Sequence, residues 1–298
     1  MSRIAVVGCG LVGTSWSLVF ARAGHDVTLY DPAAGAAEAG RATLARLLPP
    51  LEASGLLNGQ TAAEVLRRVV PAPDLAAALR GADHVQESAP ERLDLKRELY
   101  AVLDREAPAG AVIGSSTSGL PASSFTEGLA GRSRCLVVHP INPPHLIPLV
   151  ELVPAPWTDP AAVQRAELLM RQSGQTPIRL NREVNGFVVN RLQSAILAEA
   201  FRLVEDGVCG VAAVDAAVSE GLGLRWCFMG PFETIDLNAP GGIADYCRKL
   251  GPMYQALAQE QADPRPWSEA LVSRIEAERR AAVGADALPG RRAWRDRM

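Results

Sequence analysis

The stretch RIAVVGCGLVGTSWSLVFARAGHDVTLYDP, residues 3–32, decides the fold. Ile4 to Val7 form a short apolar run, the mark of a strand buried on both faces. Gly8, Gly10 and Gly13 follow as GxGxxG. In that pattern the first glycine permits a tight turn and the second lets backbone approach a pyrophosphate. The third lets a helix pack closely on the strand. The helix that opens at Leu11 and Val12 offers unpaired N–H groups and partial positive charge to the same anion. A second apolar run, Asp26 to Tyr30, ends at Asp31, 18 residues after Gly13. A carboxylate there accepts from ribose hydroxyls and repels a 2′-phosphate, and Pro32-Ala33 supplies no arginine to offset that repulsion. The pattern therefore points to NAD rather than NADP, held by Gly8, Gly10, Leu11, Val12, Gly13 and Asp31. FAD, or a glycine turn in an unrelated α/β protein, is the competing reading.

Beyond residue 32, strand-like runs alternate with helical patterns. VVPAP, ADHVQESAPE, AVIGSSTSG and CLVVHP read as strands, and DLAAALRGA and LKRELYAVLDREA as helices. Residues 34–68 read as helical, interrupted near Pro49-Pro50 and Gly59. This alternation predicts a doubly wound, mainly parallel Rossmann-type sheet. After about residue 185 no strand alternation remains, so the spacing predicts an all-helical C-terminal domain. NGFVVNRLQSAILAEAFRLVEDG reads as one long helix closed by Gly207, and VAAVDAAVSEGLG as another that ends in glycine. The domain expectation is 1–185 for NAD binding and 186–298 for substrate binding and dimerisation.

The 298 residues carry 48% hydrophobic and 21% charged side chains, a globular balance. A net charge of -3 gives no electrostatic case for a nucleic-acid or anionic-membrane partner. No apolar run reaches the ~18 residues of a membrane span, and MSRIAVVGCG leads straight into a strand, which leaves no room for a secretory leader. Five cysteines without a CxxC pair read as free, mostly buried thiols of a reducing cytoplasm. No metal site is expected.

In a doubly wound sheet, ligands sit beyond the carboxyl ends of strands. Asp31, Glu87, Ser116 to Ser118 and His139 all fall at such ends. Oxidising an alcohol needs a base for the hydroxyl proton, and imidazole suits the task because its unperturbed pKa, about 6.5, lies near working pH. A carboxylate on the other ring nitrogen fixes the tautomer and stabilises the imidazolium. Glu151, in the strand-like LIPLVELV, reaches His139 if the proline-rich segment between them turns. His145 reads as a loop residue, and His25 and His84 as surface or strand-flanking ones.

These motifs (GCGLVG, QESAPERLDLK, SSTSGL, HPINPPHLIPLVEL and NGFVVNRL) resemble, in order and over the whole chain, the L-3-hydroxyacyl-CoA dehydrogenase superfamily. HPINPPHLIPLVELVP, RLVEDGV, GLGLRWCFMGPFETIDLNAPGG and the terminal RRAWRDRM look most like its lambda-crystallin / L-gulonate 3-dehydrogenase branch. The resemblance implies a catalytic base at His139 with Glu151 as partner, and Ser118 and Asn190 positioning the substrate oxygen. It also implies Glu91 and Lys96 near the nicotinamide half of NAD, with Ser116 among the cofactor contacts, and a homodimer through the C-terminal domain. The implied activity is NAD-dependent oxidation of the 3-hydroxyl of a small hydroxy acid such as L-gulonate. Fatty-acid metabolism through 3-hydroxybutyryl-CoA is the runner-up, L-carnitine the third substrate, and a crystallin-like structural protein the non-enzymatic alternative. Residues 33–74 contain no lysine, and their arginines are offset by acids, a poor cradle for coenzyme A phosphates. A small carboxylate needs one bidentate arginine instead. Arg225 is the candidate, with a surface arginine stacked on Trp226 as the alternative.

Overall fold

The computed structural model describes residues 1–296, so the last two residues of the RRAWRDRM stretch lie outside the described residues. The chain divides into two compact units, Met1–Arg191 and Leu192 onward. The first is built on one sheet of β1 (Arg3–Val7), β2 (Asp26–Tyr30), β3 (Val69–Pro71), β4 (His84–Glu87), β5 (Val112–Ser115), β6 (Cys135–Pro140), β7 (Leu149–Pro154) and β8 (Thr176–Arg179). The strands lie in the order β3-β2-β1-β4-β5-β6-β7-β8. Every neighbouring pair is parallel except β6 with β7. Helices α1 (Leu11–Arg22), α2 (Ala36–Ala53), α3 (Ala62–Arg67), α4 (Leu75–Leu79), α5 (Leu93–Glu106), α6 (Ser123–Thr126) and α7 (Pro160–Gln172) connect them.

Pleating explains the core. Ile4 and Val6 of β1 join Leu136, Val138, Val150 and Leu152 on one face, with Trp16 and Phe20 of α1. Ala5 and Val7 join Val85, Ile113, Val137 and Val153 on the other, with Tyr100 and Leu103 of α5. The chain first runs outward from β1 to β2 and β3, then crosses to the opposite side of β1 with β4. That reversal opens a crevice beyond the carboxyl ends of β1 and β4.

α8 (Val189–Glu205) begins in the first unit, and α9 (Val211–Ala216), a π-helical stretch Ala217–Leu222, α10 (Gly223–Trp226), α11 (Pro231–Leu237), α12 (Gly242–Glu260), α13 (Glu269–Ala282) and α14 (Leu288–Arg295) follow. No described helix is long and apolar enough to cross a membrane.

Several local expectations need correction. α2 runs through Pro49-Pro50 to Ala53, because Leu44, Leu48 and Leu51 anchor it in the core on both sides of the lost N–H groups. The break comes instead at Gly55, Asn58 and Gly59, all at positive φ. The long helix starts at Val189 rather than Asn185, since residues 185–188 form a turn with Phe187 at φ 50. The helix read over VAAVDAAVSEGLG does not stop at its glycines; it passes through a π-helical stretch into α10. Of the two readings for His25 and His84, the strand-flanking one holds: His25 directly precedes β2 and His84 opens β4, and they are buried at 4% and 2% exposure. All five cysteines are free, but only Cys135 is buried, and Cys227 and Cys247 are exposed.

Candidate active site

The glycine turn is shaped by what its glycines would collide with. Gly8 has φ 102, and a Cβ there would lie 2.6 Å from the Ser88 backbone. A Cβ on Gly13 would lie 1.9 Å from the Gly8 carbonyl oxygen, whereas one on Gly10 would meet nothing within 4 Å. Gly8 and Gly13 are thus packing glycines, and Gly10 faces open space beside the N-terminus of α1. There Leu11 is exposed, Val12 half-buried, and the first-turn N–H groups lack intrahelical acceptors. At the end of β2, Asp31 accepts from Cys9 N at 2.8 Å and Ala33 N at 2.9 Å, so it ties the turn to the second strand. Burial, helped by Asp31 and Glu38, pushes the Cys9 thiol up to about 12, so no thiolate competes for the helix terminus. Open space over Gly10, free N–H groups and a carboxylate with spare lone pairs fit a dinucleotide.

Past β4 and β5 lies a buried ionic layer. Lys96 Nζ stands 2.9 and 3.0 Å from the two Glu87 carboxylate oxygens, with the two side chains 1% and 0% exposed. Ser115 Oγ and Ala89 N also donate to Glu87. Lys96 is 3.9 Å from Glu91, whose other oxygen accepts from Thr117 Oγ1, Ser118 N and Gly119 N. Lys96 thus spends its charge on Glu87 and Glu91, and Glu91 holds the Thr117–Gly119 turn.

β6 and β7 bring the histidine and its acid together. Their antiparallel register sets His139 directly opposite Glu151, and Nδ1 of the imidazole lies 2.7 Å from Oε2. The other carboxylate oxygen accepts from Val188 N at 2.7 Å and Val189 N at 3.1 Å, at the start of α8. Burial by itself would raise the Glu151 carboxyl, but the His139 and backbone hydrogen bonds outweigh it, and its pKa falls below the ordinary value. An ionised carboxylate only accepts, so Nδ1 carries a proton, and in the neutral ring the lone pair is then on Nε2. Nε2 has no protein partner among the described residues and is not sealed from solvent. The Phe187 ring lies 5.5 Å from the imidazole, centroid to centroid, and limits its rotation. Nearby, Asn190 Nδ2 donates to Ser118 O at 2.8 Å, and the Ser118 side chain is exposed. Val188, Val189 and Asn190 thereby tie the start of α8 into the first unit.

Ser116 is half-buried in a polar network with Trp16, Gln86 and Ser88. Arg225 is exposed on α10 of the second unit, and no stacking on Trp226 is present among the described residues. His145 is buried with Nδ1 3.0 Å from Ser15 Oγ. A cavity of about 720 Å³ opens at the opposite end of the strands between Arg22, Asp26, Glu64 and Arg68. Arg22 and Arg68 there are already engaged by His145 O, Gly24 O and Asp26, and the cavity lies away from the glycine turn. No described group of His, Cys, Asp and Glu residues could hold a metal ion. Sequence reading missed Gln86 and Ser88; their one signal was the polar QES at the end of an otherwise apolar strand.

A glycine turn at the switch point of a doubly wound sheet, with an acid ending the second strand, defines the class of NAD-binding proteins. This chain belongs to the 3-hydroxyacyl-CoA dehydrogenase family. Residues 3–184 match that family's NAD binding domain and residues 186–285 its C-terminal domain. A lambda-crystallin homolog of Bos taurus is 45% identical over 98% of this chain and 92% of its own length. An L-carnitine dehydrogenase of Streptomyces griseus is 45% identical over 84% of this chain and 74% of its own. Among solved structures, 5-formyl-3-hydroxy-2-methylpyridine 4-carboxylic acid 5-dehydrogenase, an NAD+-dependent dismutase, superposes with a TM-score of 0.81 at 28% identity. That match covers 93% of this chain and 87% of the other.

Proposed function

We propose that this protein oxidises the 3-hydroxyl of a small 3-hydroxy acid, in the manner of an L-gulonate 3-dehydrogenase, with His139 as general base and Glu151 as its partner. The observation that carries this reading is the 2.7 Å contact between Nδ1 and Glu151, which leaves Nε2 as a lone-pair acceptor at a strand's carboxyl end. Gly8, Gly10, Leu11, Val12, Gly13 and Asp31 would hold NAD, and bound NAD supplies the hydride acceptor. Nε2 takes the hydroxyl proton, and the anionic Glu151 steadies the resulting imidazolium. Ser118 and Asn190 position the substrate oxygen. Glu91 and Lys96 keep the Thr117–Gly119 turn in place beside the nicotinamide half.

A free acid is favoured over an acyl-CoA by the arginines near the second strand. Arg41 donates to Val69 O, and Arg68 serves Gly24 O and Asp26, so neither is left to grip a phosphate. Two relatives carry substrate names without coenzyme A, L-carnitine and a pyridine carboxylic acid. The family description nonetheless keeps 3-hydroxybutyryl-CoA as the second reading. The lambda-crystallin likeness keeps a bulk structural role as the non-enzymatic one. Arg225 is our candidate for the substrate carboxylate. The protein works as a homodimer through its helical second unit.

NADH absorbance, read with L-gulonate, L-carnitine and 3-hydroxybutyryl-CoA in turn, tests the substrate. Turnover of none of them, with NAD still bound, would favour the structural role. His139→Ala is expected to lose about 10²- to 10⁴-fold in turnover while NAD affinity stays unchanged; an equal loss of cofactor binding would make His139 structural. Arg225→Leu is expected to raise KM for carboxylate substrates, and an unaltered KM would remove it from the site.

A further inference from the structure

Polar side chains at the carboxyl ends of β4 and β5 form a chain whose direction is dictated by donors and acceptors. Gln86 Nε2 lies 3.3 Å from the Val138 carbonyl oxygen, which only accepts, so the amide nitrogen must face that side. Gln86 Oε1 then accepts from His84 Nε2 at 3.0 Å. The same Gln86 nitrogen donates to Ser116 Oγ at 2.7 Å, and Trp16 Nε1, a pure donor, reaches that oxygen at 3.1 Å. A hydroxyl oxygen has two lone pairs, and both are now taken. Ser116's proton is left with one acceptor, Ser88 Oγ, 2.9 Å away. Ser88 therefore accepts from Ser116, and its own proton has no protein acceptor among the described residues.

Ser88 stands where that proton matters. It follows β4 directly, its N–H donates to Val7 O, and its Cβ lies 3.3 Å from where a Cβ on Gly13 would be. It is half-buried, between the carboxyl ends of β1 and β4, at the switch point over which a dinucleotide passes. The pyrophosphate and adjoining ribose present oxygen acceptors there. We propose that Ser88 is a hydrogen-bond donor to bound NAD, its polarity set from the interior by Trp16, Gln86 and Ser116. Ser116 then acts behind Ser88 as a positioning residue, with neither proton nor lone pair left for the cofactor. The proposal rests on the NAD-binding reading of the glycine turn and is independent of His139.

Titration calorimetry with NAD+ and with AMP tests it without turnover. Ser88→Ala is expected to weaken NAD+ about three- to tenfold, one hydrogen bond's share. AMP, held on the Asp31 side, keeps its affinity. Ser88→Cys keeps the volume but only a weak donor, and is expected to lose about as much as the alanine variant. Ser116→Ala should cost less, and the double variant should bind no more weakly than Ser88→Ala alone. NAD+ binding within twofold of the unmodified protein in Ser88→Ala, or full binding in Ser88→Cys, would overturn the donor role. An equal loss of AMP binding would reduce Ser88 to support for the turn. Additive losses would overturn the positioning role of Ser116. Failure of the unmodified protein to bind NAD+ would overturn the cofactor reading beneath the proposal.

Discussion

At the scale of single residues, two buried titratable groups make opposite use of burial. Glu151 is fully buried, yet three donors hold it ionised. Glu151→Gln should still accept from His139 but carries no charge to steady an imidazolium. Turnover is expected to fall by about two to four orders of magnitude with NAD affinity retained, read by stopped-flow and calorimetry on one preparation. His84 has no such partner charge, and burial pushes its pKa down to about 4 from an ordinary 6.5. The unfolded chain therefore binds this proton first as pH falls. The folded state's advantage is whole above about pH 6.5 and is lost progressively down to about pH 4. The total loss is about 3 kcal/mol, 1.36 kcal/mol per pKa unit. The urea midpoint of the unmodified protein should fall across that window more steeply than that of His84→Gln. Parallel slopes would show that His84 is not the group responsible.

At the scale of elements, the glycine turn separates fold from function. Gly13→Ala drives a Cβ to 1.9 Å from the Gly8 carbonyl oxygen, so α1 must move off β1. Both melting temperature and NAD affinity are expected to fall. Gly10→Ala meets nothing within 4 Å, so stability should hold within about 1 kcal/mol, and only NAD affinity should drop. Differential scanning fluorimetry beside calorimetry reads both, and a stability loss in Gly10→Ala would contradict the assignment of its open face. The turn was legible because glycine spacing is a local signal, and so were the buried strands, as apolar runs. The placing of His139 opposite Glu151 was half legible: the proline-rich segment implied a turn, but register is set by pairing that spacing does not encode. The Glu87–Lys96 pair and the Ser116–Ser88 network were illegible, since they join residues from different strands and helices. The run of α2 through Pro49-Pro50 was misread for a related reason: propensity is local, and the packing of Leu48 and Leu51 is not.

At the scale of the whole molecule, the two units differ in how much they bury. The first carries two extensive apolar clusters. In the second, the buried apolar core among the described residues is Val204, Val211 and Leu271, with Phe201, Val214 and Ile275 packed against it. Phe232, Phe228, Leu237 and Leu224 are 75%, 70%, 67% and 60% exposed, all within residues 222–237. So many exposed apolar side chains in so short a stretch are unusual for a monomer, and we propose that they form the contact of the homodimer. A two-fold copy of the same face is the simplest cover, because an isologous contact closes on itself. Sedimentation at micromolar concentration is expected to give a particle of twice 31.6 kDa. Phe232→Asp with Phe228→Asp puts two charges on side chains that already face solvent in one copy, so a monomer should tolerate them. If the face is the dimer contact, the double variant sediments as one chain and still binds NAD+ through the first unit. A variant that remains dimeric would place the contact elsewhere. An unmodified protein that sediments as a monomer would leave these aromatic side chains in water and refute the homodimer outright.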